Sequence, residues 1–325
     1  MIPVKFISFV EKSKYLLRSS ELSGNYMATS FLEQNPKMII LWKLSGNPNA
    51  THLLPKDLLG INWWRFCGNP SIEAILERVP KDMFHFLDWG QLSKNSGVIS
   101  FLEKNIEMID WRLLSGNENA GNILEKHIDK VDWWMLSGNR GAIKLIEANL
   151  EKISWYNLSV NSGAIHILEK NLDKIYWYGL SKNPAAMHIL ERNVDMIYWN
   201  NLSKLPEAIH ILKQYPERVD ISGLCMNSSA SCLIEKIIID NPYAYTIDWV
   251  VLSGNPGVID ILQKYPGKID WEILSGNPGI FEYDYSEMRR RFYADGGFAE
   301  ELIQNRLHPK NIHKFEDWGM DWFDY

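Results

Sequence analysis

The chain repeats one short pattern along most of its length, and this repetition limits what it can fold into. Residues 108–120 read MIDWRLLSGNENA, and residues 130–142 read KVDWWMLSGNRGA, which is the same order after 22 residues. A serine or cysteine marks the register of each unit, and a period this strict predicts an array of units that pack on their neighbours. The twelve register residues are Ser23, Ser45, Cys67, Ser93, Ser115, Ser137, Ser159, Ser181, Ser203, Cys225, Ser253 and Ser275.

Three further slots recur around the register residue. Asn lies two residues after it in every unit except that of Leu205, and Leu or Phe66 lies directly before it. A Trp slot lies four residues before it, and the residue preceding that slot is Asp, Asn or Ser in eight units. Asn followed by Pro is typical of a helix N-cap, and Asp before Trp favours the cap of another helix.

These signals predict two helices in each unit, a very short one from the Trp slot and a longer one of about ten residues after Asn. A leucine-rich repeat has a comparable period, but it needs apolar residues two apart, whereas this chain spaces them W-x-x-L. We therefore expect an all-α fold, an α-solenoid of about twelve 22-residue helix-turn-helix repeats with helical caps. Twelve units would extend over about 100 Å if the stack were uncurved, and the sequence leaves its curvature open.

The repeat also suggests how the chain is divided. We expect an N-terminal cap over residues 1–22, the array over residues 23–280 and a C-terminal cap over residues 281–325, because an open end face needs shielding. Two helices are predicted in the last segment, over residues 298–307 and 310–317. Small insertions around residues 79–88 and 236–248 interrupt the period.

The repeated polar residues are interpreted as structural, since a residue needed in every unit answers a need that every unit has. Trp111 and Leu114 are expected to fill the seam between units, Ser115 to stay small beside the next backbone, and Asn117 to cap its helix and bond a neighbouring loop. The sequence contains no recognisable catalytic motif, so we predict no enzymatic activity and no cofactor. A hydrolase site in the tail around His308, Asp317 and Asp321 is the enzymatic alternative.

Function is expected where the units differ, and the residue after the Trp slot is such a position. Exposed aromatic residues there would form a protein-docking surface, with lateral packing as the alternative. Arg112 occupies the same position in its own unit and differs from the others. The aromatic candidates are Trp42, Trp64, Trp134, Tyr156 and Tyr178.

A row of histidines occupies one slot of the longer helix. Stacked helices lie about 8 to 10 Å apart, so three of these side chains cannot meet on one metal ion. We therefore expect an exposed polar ladder and no metal site. The last three histidines of the row are also candidates for the partner-binding surface. The row consists of His52, His166, His188 and His210.

Charge and cysteine content narrow the class of protein further. The net charge is -6, and acidic and basic residues alternate, which argues against a nucleic-acid-binding face. Three cysteines without framework spacing suit a reducing compartment. No apolar run is long enough for a signal peptide or a membrane span, so we expect neither secretion nor membrane insertion.

The pattern IDWxxLSxNPxAIxILEKNxDK, followed by IFEYDY, EELIQNRLHPKNI and a closing segment of Trp, Gly and Asp, resembles the tandem-repeat proteins of giant viruses, the nucleocytoplasmic large DNA viruses. The resemblance implies a viral origin and a place in the virion or the host cytoplasm of the infected cell, and it assigns no catalytic residue. We expect a non-enzymatic scaffold or adaptor that binds host or viral proteins. The alternative is a minor structural virion protein that bridges capsid subunits.

Overall fold

The computed structural model describes residues 3–240 and 247–293, which are predominantly helical. Each of the twelve units begins with a short helix that carries the Trp slot and, in most units, the register residue, and we call these the first helices. In unit order they are Ser19–Gly24, Leu41–Leu44, Trp63–Cys67, Trp89–Lys94, Trp111–Ser115, Trp133–Ser137, Trp155–Val160, Trp177–Leu180, Trp199–Leu202, Ile221–Cys225, Trp249–Gly254 and Trp271–Ser275.

A second helix follows the Asn slot in most units. In unit order, the second helices are Thr29–Gln34, Glu73–Leu76, Ile99–Glu103, Gly121–Lys126, Ile143–Glu147, Ile165–Glu169, Met187–Arg192, Ile209–Gln214, Ser231–Asp240 and Ile259–Lys264. Unit 2 has only the 3-10 turn Thr51–Leu53 at this place, and unit 12 passes from the 3-10 turn Pro278–Ile280 into a strand.

Short 3-10 turns lie before or after the second helix in most units, and the sequence does not predict them. Six of them lead into the second helix or its place: Arg140–Ala142, Ser162–Ala164, Pro184–Ala186, Pro206–Ala208, Pro256–Val258 and Pro278–Ile280. Eight follow the second helix: Pro36–Met38, Lys81–Phe86, Ile106–Met108, Ile128–Lys130, Leu172–Lys174, Val194–Met196, Pro216–Arg218 and Pro266–Lys268.

The expected longer helix of about ten residues is therefore wrong for most units. The cap explains the difference, because the Asn161 side-chain oxygen accepts a hydrogen bond from Gly163 N, 3.0 Å away and only two residues later. This closes an Asx turn and starts a 3-10 turn, and α-helix follows only from Ile165. The exception is Ser231–Asp240, where the insertion lengthens the second helix.

The caps of the first helices form as predicted. In all eight units with Asp, Asn or Ser before the Trp slot, that side chain accepts a hydrogen bond from the backbone N–H three residues later. Asp110, for example, accepts from Leu113 N at 3.0 Å. This cap fixes where each first helix begins, so Leu114 and Ser115 point into the core and are fully buried.

The two ends of the array of units meet. Strand β1 (Val4–Phe6) pairs antiparallel with strand β2 (Phe281–Tyr283), which form the one sheet of the described residues, and the rings of Phe6 and Phe281 stack 4.6 Å apart. The first helix of unit 1 also contacts the first helix of unit 12. The length of about 100 Å, which holds for an uncurved stack, therefore does not apply, because the two end faces of the array cover one another.

Outside the units, the described chain has the helix Ser8–Lys12, the 3-10 turn Lys14–Leu16 and the helix Tyr285–Tyr293. The division into caps and array stays a prediction. The two helices expected over residues 298–307 and 310–317 lie outside the described residues.

Candidate docking surface

A ladder of asparagine side chains joins each unit to the one before it. In all eleven units with Asn in this slot, its Nδ2 donates to the carbonyl oxygen of the preceding register residue at 2.9–3.2 Å. In unit 1 this partner is Ser275, so the ladder also joins unit 12 to unit 1. At Leu205 the donor is missing, but Asn227 still donates to the Leu205 carbonyl at 2.7 Å, so the exception affects one joint.

The register serines tie the same joints a second time. Ser115 Oγ donates to the carbonyl of Trp111 at 2.7 Å and accepts from Asp132 N of the next unit at 3.0 Å. Ser275 does the same across the closing joint, where it accepts from Arg18 N at 2.8 Å. The Ser and Asn side chains are therefore engaged in hydrogen bonds between units, which is the predicted structural role.

The tryptophans of the Trp slot lie at the seams. Leu114 is fully buried, and the partly buried Trp111 packs against the core with Lys130 Nζ 4.6 Å from its ring centroid. Lys152 and Lys174 cover the rings of Trp133 and Trp155 in the same way. The predicted seam residues are where the sequence places them.

The first helices form the inner side of the circuit of units. Neighbouring first helices approach more closely than neighbouring second helices, and the turns after the Asn slot are also tightly apposed. A Cβ added to Gly141 in such a turn would lie 1.9 Å from the carbonyl oxygen of Glu118 in the preceding unit. In a closed circuit the elements with the shortest spacing lie inside, so the solvent side of each first helix faces inward.

Four positions of each unit lie on this inward side. They are the two residues after the Trp slot, the residue after the register residue and the residue after the Asn slot, and we call them the inner slots. The first three lie about 100° to 160° from the buried Leu on the helical wheel, and the second of them is buried at Gly179, Asn201 and Gly223. The fourth lies beside them in a groove of about 340 Å³ that crosses units 4 to 7, between Lys94 and Ser162.

Four of the five aromatic candidates are exposed on this face. The exposed fraction is 46% for Trp42, 56% for Trp64, 52% for Trp134 and 45% for Tyr156, whereas Tyr178 is half-buried. Lateral packing therefore leaves about half of each exposed ring uncovered.

A tyrosine cluster extends this aromatic surface and was not predicted. The ring centroids of Tyr156 and Tyr176 lie 4.5 Å apart, those of Tyr176 and Tyr178 6.1 Å, and those of Tyr178 and Tyr198 5.3 Å. Tyr176 and Tyr198 occupy the slot that holds the cap of the first helix in eight other units. Their departure from that pattern is the signal in the sequence that points to them.

The inner slots carry a charge that differs from that of the whole chain. In units 2 to 9 they hold seven cations and one acid, Glu118, whereas in units 10 to 12 and 1 they hold two acids, Glu21 and Glu272, and no cation. The cap slot beside them adds three acids in units 2 to 9, so cations still outnumber acids there by seven to four, and it adds three acids and one cation in units 10 to 12 and 1. These residues are Asp88, Asp110 and Asp132 in the first group and Asp220, Asp248, Asp270 and Arg18 in the second. The chain as a whole has a charge of -6. The seven cations are Lys43, Arg65, Lys94, Arg112, Arg140, Lys182 and Lys204.

Two of these cations are neutralised by a neighbouring unit. Lys43 Nζ lies 2.8 Å from a Glu21 oxygen, and Arg140 pairs with Glu118. The hydrogen bond from Arg140 is the main reason why the pKa of the Glu118 carboxyl is lowered. Among the described residues, the other five cations form no ion pair, although Arg65 lies over the Trp42 ring and Lys182 over the Tyr178 ring.

The histidine row lies on the second helices, or in unit 2 on the 3-10 turn at their place, away from the aromatic candidates. Each His Nε2 lies 2.6–2.8 Å from a glutamate oxygen of the preceding unit. His166, His188 and His210 thus form a polar ladder between units, as expected, and the structure does not bring them together with Trp134 or Tyr156. No cluster of three metal-ligating side chains occurs in residues 3–240 and 247–293.

The described cysteines are two buried thiols and one exposed thiol. Burial raises the pKa of Cys67 to about 11 and also raises the pKa of Cys225. Both occupy the register slot, and Cys67 Sγ accepts from Asp88 N at 3.3 Å as a serine would. Cys232 is free and exposed.

Every helix in the described parts of the chain is too short or too polar to cross a membrane. The alternative hydrolase residues His308, Asp317 and Asp321 lie outside the described residues. Comparisons with protein-family models, with curated proteins and with solved structures find no match to this chain. The resemblance to the repeat proteins of giant viruses therefore stays a prediction.

Proposed function

We propose that the chain is a closed α-solenoid that acts as a non-enzymatic scaffold or adaptor and binds other proteins on its inner face. The observation that carries the proposal is the row of half-exposed aromatic rings on first helices that are fixed at every joint. Large aromatic side chains on a rigid support are typical energetic centres of protein interfaces. The Ser and Asn rows support the non-enzymatic part, because their side chains are engaged in bonds between units.

The setting of this function follows from the resemblance to giant-virus repeat proteins. It suggests host or viral protein partners in the infected cell, with the capsid-associated structural role as the alternative. Purified virions distinguish the two roles: the chain at stoichiometric amounts would favour the structural role, and its absence would favour the adaptor.

Affinity capture from infected cells tests the docking surface. The tagged wild-type chain is compared with a Trp134→Ala, Tyr156→Ala double variant and with a control variant, Leu172→Ala, Met196→Ala. The control removes exposed apolar side chains from turns that follow the second helices. Proteins retained by the wild type and the control but lost by the docking variant would support the proposal. An identical set of captured proteins from all three chains would refute it.

A further inference from the structure

We propose that the basic, aromatic part of the inner face binds an extended acidic segment of a partner protein. This inference rests on the proposed docking function and specifies the chemistry of the partner. It starts from the inner slots of units 2 to 9, where Arg65, Lys94, Arg112, Lys182 and Lys204 form no ion pair with any described carboxylate. Cations kept unpaired in an acidic chain complement a partner of the opposite sign.

The aromatic side chains supply the second kind of contact. Trp64, Trp134 and Tyr156 expose about half of their surface on the same face. Tyr178 contacts one of the cations, with Lys182 Nζ 4.2 Å from its ring centroid. A partner that carries both carboxylates and apolar side chains would therefore use more of this face than a purely charged one.

The size of the ring favours an extended segment. Twelve units at a spacing of about 8 to 10 Å give a circumference of about 100 Å. The axes of first helices on opposite sides of the ring are then roughly 30 Å apart. Because each helix is about 10 Å thick, the opening between them is roughly 20 Å wide. Such an opening admits a peptide chain.

The spacing of the cations favours a protein segment over a nucleic acid. Five unpaired cations across eight units correspond to about one for every 15 Å, whereas one strand of a nucleic acid carries a phosphate about every 3.4 Å in a duplex. An extended peptide advances about 3.3 Å per residue, so one unit corresponds to about three residues. An acidic residue at every third position would therefore meet successive units, with apolar side chains between them.

A labelled twelve-residue peptide of four Glu-Phe-Ser repeats is the direct probe, measured by fluorescence anisotropy with the full chain. Matched controls replace each Glu by Gln or by Lys, and a twelve-residue thymidine oligonucleotide tests the nucleic-acid alternative. We expect the Glu peptide to bind at least about ten-fold more tightly than the Gln and Lys peptides and the oligonucleotide, with an affinity that falls as salt rises. Equal affinity for the Glu and Gln peptides, no binding, or tighter binding of the oligonucleotide would overturn the inference.

Charge reversal on the ring locates the site. The double variant Lys94→Glu, Arg112→Glu is expected to weaken binding of the Glu peptide at least about ten-fold. The control Lys126→Glu, Lys170→Glu changes exposed lysines of the second helices and their ends, and it should leave the affinity within about two-fold. Equal losses in the two variants would overturn the inference, since the attraction would then follow net charge rather than the inner face.

The two proposals fail in different ways. If the Glu peptide does not bind while Trp134→Ala, Tyr156→Ala still loses captured proteins, the docking function stands and the acidic partner is wrong. If the aromatic variant loses no protein, the docking function itself fails.

Discussion

Asn25 donates a hydrogen bond from Nδ2 to the carbonyl oxygen of Ser275, 3.2 Å away and 250 residues further along the chain. The same Nδ2 donates to the carbonyl of Asn277 at 3.1 Å. Asn139 forms the equivalent pair of bonds with Ser115 and Asn117, its neighbours in the preceding unit. Unit 1 therefore lies on unit 12 as unit 6 lies on unit 5.

The closing joint is expected to contribute as much stability as an internal one. Asn25→Ala and Asn139→Ala each remove the side-chain donor from one Ser and one Asn carbonyl, and only the Asn carbonyl keeps a backbone donor. Each variant should therefore lower the free energy of unfolding by about 1 to 3 kcal/mol. Denaturant unfolding of the two variants beside the wild type measures this. An Asn25→Ala variant as stable as the wild type would mean that the ends do not meet in solution.

The closed arrangement also determines the dimensions in solution. A compact chain of this length has a radius of gyration of about 20 Å, whereas a rod about 100 Å long would have one of about 30 Å. Small-angle X-ray scattering should therefore give a value near the smaller number. A value near the larger one, with a maximum dimension of about 100 Å, would contradict closure.

The close approach of successive turns leaves no room for a side chain at certain glycines. Gly141→Ala would place a methyl group 1.9 Å from the Glu118 carbonyl, so the two units must move apart. We expect a loss of about 1 to 3 kcal/mol in the free energy of unfolding. Gly267→Ala is the matched control, since no atom lies within 4 Å of the added carbon. The expectation fails if thermal unfolding shifts equally in both variants.

The cysteines are expected to differ in reactivity. Because burial disfavours the thiolate and raises the pKa of Cys67 to about 11, iodoacetamide at pH 8 should modify Cys232 in the native chain and leave Cys67 and Cys225 intact. Mass spectrometry of digested protein identifies the modified residues. Rapid modification of Cys67 before unfolding would show that its joint opens.

The raised pKa of Cys67 also has a consequence for stability. The folded state holds the thiol proton more tightly than the unfolded state, so its contribution is complete below pH 9 and is lost as the pH rises toward 11. Cys67→Ser restores the common register residue and has no thiol to titrate. The free energy of unfolding of the wild type should therefore fall relative to that of Cys67→Ser by roughly 1 to 3 kcal/mol over this range. A constant difference between the two proteins would contradict the assignment.

The sequence was most informative about contacts that every unit repeats. The roles of Asp110, Trp111, Leu114, Ser115 and Asn117 follow from their spacing, because a cap, a buried face and a joint each need a particular residue at a particular distance. Closure does not follow from spacing. It arises because first helices lie closer together than second helices at successive joints, and no single unit shows the sum over twelve of them.

The candidate site was predicted in part for a related reason. Trp64 and Trp134 were identified because they differ from Arg112 and Gly90 in the same slot. Tyr176 and Tyr198 were missed because their slot was interpreted through the eight units that place a cap there. The charge of the inner face was also missed, since its cations come from several slots that the repeat brings to one side only once the units are stacked.

The pairing of β1 with β2 holds the two ends of the array of units side by side. The Asp284 N–H donates to the carbonyl of Pro3 at 3.0 Å, so the segment after unit 12 lies beside the segment before unit 1. A circular permutant of residues 3–284 that joins Pro3 to Asp284 through a short linker and opens the chain in an exposed loop between two other units would retain every rung of the asparagine ladder. The cyclic order of the units, rather than the choice of a first one, therefore defines this molecule.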